Sequence, residues 1–350
     1  VPPSPQTSRS IQLHWMDVDV GGDVHRILLS DLPVPHGLSV RERMEWLAGP
    51  GDGLRQLLIE PPLGDPAFCV DWITPALEPD AQAAFVIMEC MGYPFFSGSN
   101  TMATACGLLA SGYLPKDIVD GHQILRLEAP GGRVDAHVSF ADGMVQTVAI
   151  EGDEAFVQLP DQQVEVVGIG VVPYTLCWSG GHYVMVDAES LGVSPQRAGE
   201  PEGLAMAAAI IEAIQQDFTL QHPRLGDVGL PRFLHWMWPA LESESGCWQG
   251  IGGTYGHPGV LWRCPTGTGT AARLAMLSQQ ERSAVGARIQ NTSPAGTMFE
   301  ATLRGHGRVG DYPSIHTRVV GSPQVLGEVR LELPITSPAL AGRDLDWLFA

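Results

Sequence analysis

The strongest constraint on this chain is a short pattern that occurs twice. Ser97-Gly98-Ser99-Asn100-Thr101-Met102-Ala103 and Thr266-Gly267-Thr268-Gly269-Thr270-Ala271-Ala272 share one order: hydroxyl, glycine, hydroxyl, Asn or Gly, Thr, any residue, Ala. The second copy stands 169 residues after the first, close to half of the 350-residue chain. Each copy runs into an apolar stretch of helical period. A repeat of such long period implies two similar units facing one another. The chemistry of each copy is that of an anion site. Glycine lets backbones approach closely. The first helical turn has unpaired N–H groups, and the positive end of the helix dipole adds to them. Two such starts opening into one cleft would grip a carboxylate from both sides. They would set Ser97 and Thr266 on opposite faces of the carbon attached to it. A single copy reads as ordinary helix capping by Ser or Thr; recurrence at half-chain distance is what favours a shared site. Neither copy is a phosphate loop, since no Lys follows the glycines. Nor does Gly250–Gly256, GIGGTYG, have the acidic partner about twenty residues on that a dinucleotide fold uses.

Composition narrows the partners. The length suits two ordinary domains or one large one, and 44% hydrophobic against 17% charged residues predicts a sizeable core rather than disorder. The net charge of −19, with no basic stripe, argues against nucleic acid. Six cysteines without CxxC spacing or a Cys/His cluster read as reduced, mostly buried thiols. No apolar run approaches the ~18 residues of a membrane span. The first residues, VPPSPQTSRS, lack the apolar segment of a secretion signal. The expectation is a cytoplasmic protein without a membrane or nucleic-acid partner.

Along the chain, IQLHWMDVDVGGDVHRILLSD predicts strand, Gly-Gly turn, strand. SVRERMEWLAGPGDGLRQLLIEP predicts a helix broken at Gly49-Pro50-Gly51, and AAFVIMEC a buried strand entering the first loop. Strands then alternate to about residue 187. LAMAAAIIEAIQQDF is an amphipathic helix, RFLHWMWPAL a candidate strand and GIGGTYGHPGVLWRCP turn-rich. Strands close the chain. The polar SPQRAGEPEG places a boundary near residue 190, giving domains over 1–190 and 191–325.

Four segments together resemble the proline racemase family, which includes 4-hydroxyproline 2-epimerases and trans-3-hydroxy-L-proline dehydratases. They are DVDVGGDVHRILLSDLP, MGYPFFSGSNTMATACGLLASGYLP, SGGHYVMVDAE and RCPTGTGTAARLA. The resemblance implies an α+β fold of two pseudo-symmetric domains, each a sheet wrapped around a central helix. Residues from about 325 to 350 would cross back to the first domain, and the active site would lie in the cleft. It also implies a cofactor-independent reaction on a proline-like amino acid, in a monomer or homodimer. The catalytic pair of the family would fall at Ser97 and Thr266, where racemases carry two cysteines. Gly98, Ser99, Asn100, Gly267 and Thr268 would bind the substrate carboxylate. Ser99 stands where racemases have His, and Trp262 where the family has an Asp that holds the ring nitrogen. A hydroxyl is a poor proton carrier near neutrality, its pKa lying far above the ~8.5 of a thiol. Ser97 would therefore need an activating partner, and His182 and His235 are the first candidates. Thr at the second position fits dehydration of a 3-hydroxyproline, which returns no proton to the opposite face. The alternatives are a 2-epimerase in which Cys264 reaches the α-carbon, or an impaired relative that only binds a small amino or hydroxy acid.

Overall fold

The computed structural model describes residues 9–349, apart from 36, 152, 153, 244, 245 and 282. Its first strands, Ser10–Val20 and Asp23–Leu28, pair antiparallel about Gly21 and Gly22. Their φ values of 67° and 92° lie where only glycine is at ease. Helix α1 (Val40–Leu47) starts from a capping box between Ser39 and Glu42, and α2 (Gly53–Ile59) follows. Strand Cys69–Thr74 then runs parallel to Asp23–Leu28, and Ala83–Met88 antiparallel to it. Both are buried along their length; Ala83–Met88 is apolar throughout, as burial on both faces requires. Next comes α3 (Gly98–Ala110), buried from Gly98 to Leu109, the polar Ser99, Asn100, Thr101 and Thr104 included. Gly121–Ala129 returns parallel to Ala83–Met88, and Gly132–Ala141 and Met144–Glu151 complete a meander.

The same order then recurs. Gly170–Trp178 and His182–Asp187 form the hairpin, and α4 (Pro201–Gln215) leads to Phe233–Glu242, parallel to His182–Asp187. Cys247–Gly256 is antiparallel to that strand. After α5 (Gly267–Glu281), Arg288–Thr292 lies parallel to Cys247–Gly256, and Met298–Val309 and Tyr312–Gly321 follow antiparallel. Two strands carry the chain across. Ala155–Val166 adds to Gly170–Trp178, and the late strand Gln324–Pro334 adds to Ser10–Val20 at the other end. Tyr312–Gly321 borders both halves, pairing with Met144–Glu151 and with Ala155–Val166. The second half thereby closes into a ring of strands around α5, while the first wraps α3. Pairing passes from one half to the other between Glu151 and Ala155, well before residue 190.

The fold is the α+β architecture expected from the sequence. One apolar cluster joins the halves: Met102, Ala105 and Leu108 of α3 belong to it with Ala271, Leu274 and Ala275 of α5. No helix among the described residues is long and apolar enough to cross a membrane.

Candidate functional site

Both helix starts arrive at one place. A Cβ added to Gly98 would stand 3.0 Å from the Cα of Gly267, and one added to Gly267 would stand 3.0 Å from the Cα of Gly98. Only glycine permits that approach. The flanking residues repeat each other's bonds. The Thr101 hydroxyl donates to the Ser97 carbonyl at 2.7 Å, and Thr270 to the Thr266 carbonyl at 2.8 Å. The Ser97 Oγ caps α3, and Thr266 Oγ1 accepts the Gly269 N–H at 3.2 Å. Thr266 has φ +55°, a strained setting for a β-branched residue.

Ser97, Ser99, Thr266 and Thr268 line a slot between the two starts. Phe96, Phe233 and Trp262 give it aromatic walls, and Cys69, Glu89 and Tyr183 complete it. The free space is about 10 Å³, roughly one water molecule. A ring-sized ligand therefore enters only when the walls part. A second cavity of about 460 Å³, also walled by Phe233, lies alongside.

The Ser97 side is built around Asn100. Its Nδ2 donates to Ser97 Oγ at 2.7 Å and to Glu89 Oε1 at 2.6 Å. Glu89 follows the buried strand Ala83–Met88, is 4% exposed, and forms no ion pair among the described residues. Burial raises its carboxyl to about 7, only partly offset by hydrogen bonds from Asn100 and Cys69. The Cys69 thiol is pushed well up by burial and by the neighbouring Glu89, Asp23 and Asp71.

The Thr266 side is a chain of hydroxyls. Thr266 Oγ1 and Thr254 Oγ1 lie 2.7 Å apart, and Thr254 Oγ1 meets His235 Nδ1 at 2.8 Å. His235 is fully buried and its pKa falls to about 3, so its imidazole is neutral at ordinary pH. Thr268 Oγ1 is 2.5 Å from the hydroxyl of Tyr183, whose ring stacks on Phe233. Trp262 rests edgewise over Gly256, where a Cβ would come 2.2 Å from the indole.

Asp23 fastens the second loop to the first half. Its two carboxylate oxygens accept the N–H groups of Arg263 and Cys264, each at 2.8 Å. The Gly21–Gly22 turn packs on the same two residues, with the Gly21 Cβ position 2.8 Å from Cys264 Cβ.

Of the residues predicted from sequence, Ser97, Gly98, Ser99, Asn100, Trp262, Thr266, Gly267 and Thr268 come together here. His235 stands one hydroxyl behind Thr266, on the side opposite to Ser97. His182 does not join them: its Nδ1 bonds Gln158 Oε1 at 2.8 Å, its ring packs edgewise on Trp178 and Phe218, and it faces the larger cavity. Cys264 does not reach the slot either, because its sulfur turns back to accept the Thr266 N–H at 3.3 Å. Sequence reasoning passed over Glu89, Cys69, Asp23, Tyr183, Phe233 and Thr254. The legible signal was Glu89, an acid at the end of an apolar strand and eight residues before Ser97. None of the six cysteines is in a disulfide. No group of three or more His, Cys, Asp or Glu among the described residues is placed to hold a metal ion.

The chain is similar to known proteins along most of its length. The sequence model of the family described as proline racemase matches residues 15–342. A Chromohalobacter salexigens relative whose name states no activity is 38% identical, over 95% of this chain and 91% of its own length. A 4-hydroxyproline 2-epimerase from Rhizobium etli is 28% identical, over 95% of each chain. The crystal structure of a hydroxyproline epimerase from Agrobacterium vitis with bound trans-4-hydroxy-L-proline superposes with a TM-score of 0.84. It is 25% identical, over 95% of this chain and 94% of that one.

Proposed function

Because the chain belongs to the proline racemase family, we propose that it is an isomerase acting at the α-carbon of a hydroxyproline-like amino acid, of the 4-hydroxyproline 2-epimerase kind. The observation that carries this reading is the meeting of Ser97 and Thr266 across one slot, with the glycine-led helix starts between them. The first-turn N–H groups of α3 and α5 bind the substrate carboxylate and stabilise the charge that spreads into it when the α-proton leaves. The aromatic walls take the ring, and the indole of Trp262 offers a π face to the cationic ring nitrogen in place of a carboxylate. Named relatives and the hydroxyproline-bound structure support epimerisation over the dehydration put first from sequence.

One observation favours dehydration as a second reading. The Thr266 hydroxyl is surrounded by the Gly269 N–H, by Thr254 with a neutral His235 behind it, and by Tyr183, whose proton burial holds in place, so the second face lacks a ready proton donor. Elimination needs none there. Incubation in D₂O with trans-4-hydroxy-L-proline, cis-4-hydroxy-D-proline and trans-3-hydroxy-L-proline, followed by proton NMR, separates the two. Solvent deuterium at C2 with interconversion of the 4-hydroxy isomers is the expected result. Pyrroline formation from the 3-hydroxy substrate establishes the second reading. Neither change with any of the three overturns both.

A further inference from the structure

We infer that Glu89 takes the place of the family's first thiol as the group that removes the substrate α-proton, with Asn100 and Ser97 positioning it. The inference rests on the proposed α-proton chemistry but assigns its base independently of product.

The geometry excludes the other lining groups one by one. A serine hydroxyl is too weak an acid to stand ionised near neutrality, and Ser97 already accepts from the Asn100 amide. The Cys69 thiol sits among Glu89, Asp23 and Asp71, whose negative charges oppose a thiolate. Tyr183 is bonded to Thr268 and keeps its proton for the same reason of burial. Thr266 is an alcohol like Ser97, and its neighbours, the Gly269 N–H, Thr254 with the neutral His235 behind it, and Tyr183, include no base to draw off its proton. Glu89 remains: a buried carboxylate in the slot wall, one oxygen held by Asn100 and, among the described residues, no cation paired with either. Arg55 touches only its main-chain carbonyl, at 3.2 Å, and spends its guanidinium on Asp52. The same Asn100 nitrogen holds both Glu89 and Ser97, so the carboxylate is tied to the first helix start.

The groups facing Glu89 are Cys69 and Asp71 from the strand beside it, Asp23 from the hairpin, Asn100 from α3 and Ser97 at its cap, Tyr183 from His182–Asp187, Cys264 from the second loop and the adjacent Cys90. Its shift to about 7 leaves it half ionised near neutral pH, as a base for a weak carbon acid requires. In the step, the α-carbon–hydrogen bond breaks and an O–H bond forms on Glu89. The electron pair stays on the substrate and spreads into its carboxylate under the helix N–H groups. Exchange of the Glu89 proton with solvent makes the step visible as deuterium uptake.

Two measurements on the full chain test this. The first is α-deuterium uptake by trans-4-hydroxy-L-proline in wild type and Glu89→Gln. The expected result is a loss of at least ~100-fold in Glu89→Gln. Retention of uptake in Glu89→Gln overturns the assignment. The second needs no turnover: binding of pyrrole-2-carboxylate, a flat anionic ring, by calorimetry from pH 6 to 8.5. An ionised Glu89 opposes the anion, so affinity should fall about tenfold or more across that range in wild type and stay flat in Glu89→Gln. A flat wild-type profile, or no binding at 10 mM ligand (~2.7 kcal/mol or weaker), overturns the assignment. Absence of exchange in wild type with a profile that flattens in Glu89→Gln overturns the isomerase reading alone and leaves Glu89 as the ionising group of the slot.

Discussion

Replacing Gly267 by Ala tests the meeting of the helix starts directly. The added Cβ would lie 3.0 Å from Gly98 Cα and 3.5 Å from its carbonyl carbon. Carbon atoms in comfortable contact lie about 3.5–4.0 Å apart. The two starts must therefore separate by about 0.5–1 Å, because backbone rather than a flexible side chain stands in the way. Overpacking of this kind costs about 1–3 kcal/mol. Gly267 does not have a positive φ, so Ala also gains about 0.4–1 kcal/mol by restricting the unfolded chain. The net loss of stability is small, about 0–2.5 kcal/mol. The loss of activity is large, since a 1 Å misplacement of reacting groups costs on the order of 100-fold. Urea unfolding followed by tryptophan fluorescence measures the first, and α-deuterium uptake from D₂O the second. Gly98→Ala, pushing on the same contact from the other side, should give the same disproportion. Unchanged uptake in both variants would refute the claim that one ligand is gripped between the two starts.

Three other outcomes follow from the same geometry. Glu89 is raised in the fold from 4.5 to about 7, so its stabilising neutral form is fully kept below about pH 4.5 and its contribution is lost as pH rises through 7. Glu89→Gln escapes that loss, so its stability relative to wild type should climb between pH 5 and 8 by on the order of 3 kcal/mol in urea titrations; a constant difference would contradict the burial argument. Thr254→Val cuts the link between Thr266 and His235 at nearly constant volume and should cost about 1–3 kcal/mol through two orphaned polar atoms, measured by thermal unfolding. Arg273 is buried in the second ring, where it donates to the carbonyls of Ile251 and Trp238 and to Asn291 Oδ1. Arg273→Met leaves these acceptors unpaired and should cost at least about 3 kcal/mol, seen as a clear drop in Tm.

Much of the fold was legible because local chemistry and tertiary structure agreed. The Gly21–Gly22 hairpin, the broken helix over Val40–Ile59 and α4 follow turn residues and apolar period directly. The duplicated hydroxyl-glycine loops located the slot from both sides. Cys247–Gly256 was not legible as a strand, since its glycines read as turns. They are there for space: a Cβ at Gly250 would come 2.7 Å from Arg273 Nη2, one at Gly252 2.5 Å from His235 Nε2. Strand Cys69–Thr74 and its Cys69 escaped notice because CVDWIT is too short and mixed to show a period. Glu89 was passed over because an acid after a strand resembles any loop residue until Asn100 is seen holding it. His182 has an equally suggestive sequence setting, but its partner Gln158 comes from Ala155–Val166, whose place in the second ring no local pattern reveals. Strands Ala155–Val166 and Gly170–Trp178 lie before residue 190 and pair in the second half, because long-range pairing leaves no mark on nearby residues.

The late strand Gln324–Pro334 has a consequence for how this protein can be cut. It covers the outer side of Ser10–Val20 across ten paired positions, from Ser10 opposite Pro334 to Asp19 opposite Gln324. A fragment ending at residue 151 would keep α3 and its surrounding strands yet leave that row of N–H and C=O groups bare, an open template for aggregation. The two halves are thus interlaced by the backbone itself, and because Tyr312–Gly321 likewise covers Met144–Glu151, a split version should recover solubility only when a peptide spanning 312–334 is supplied in trans.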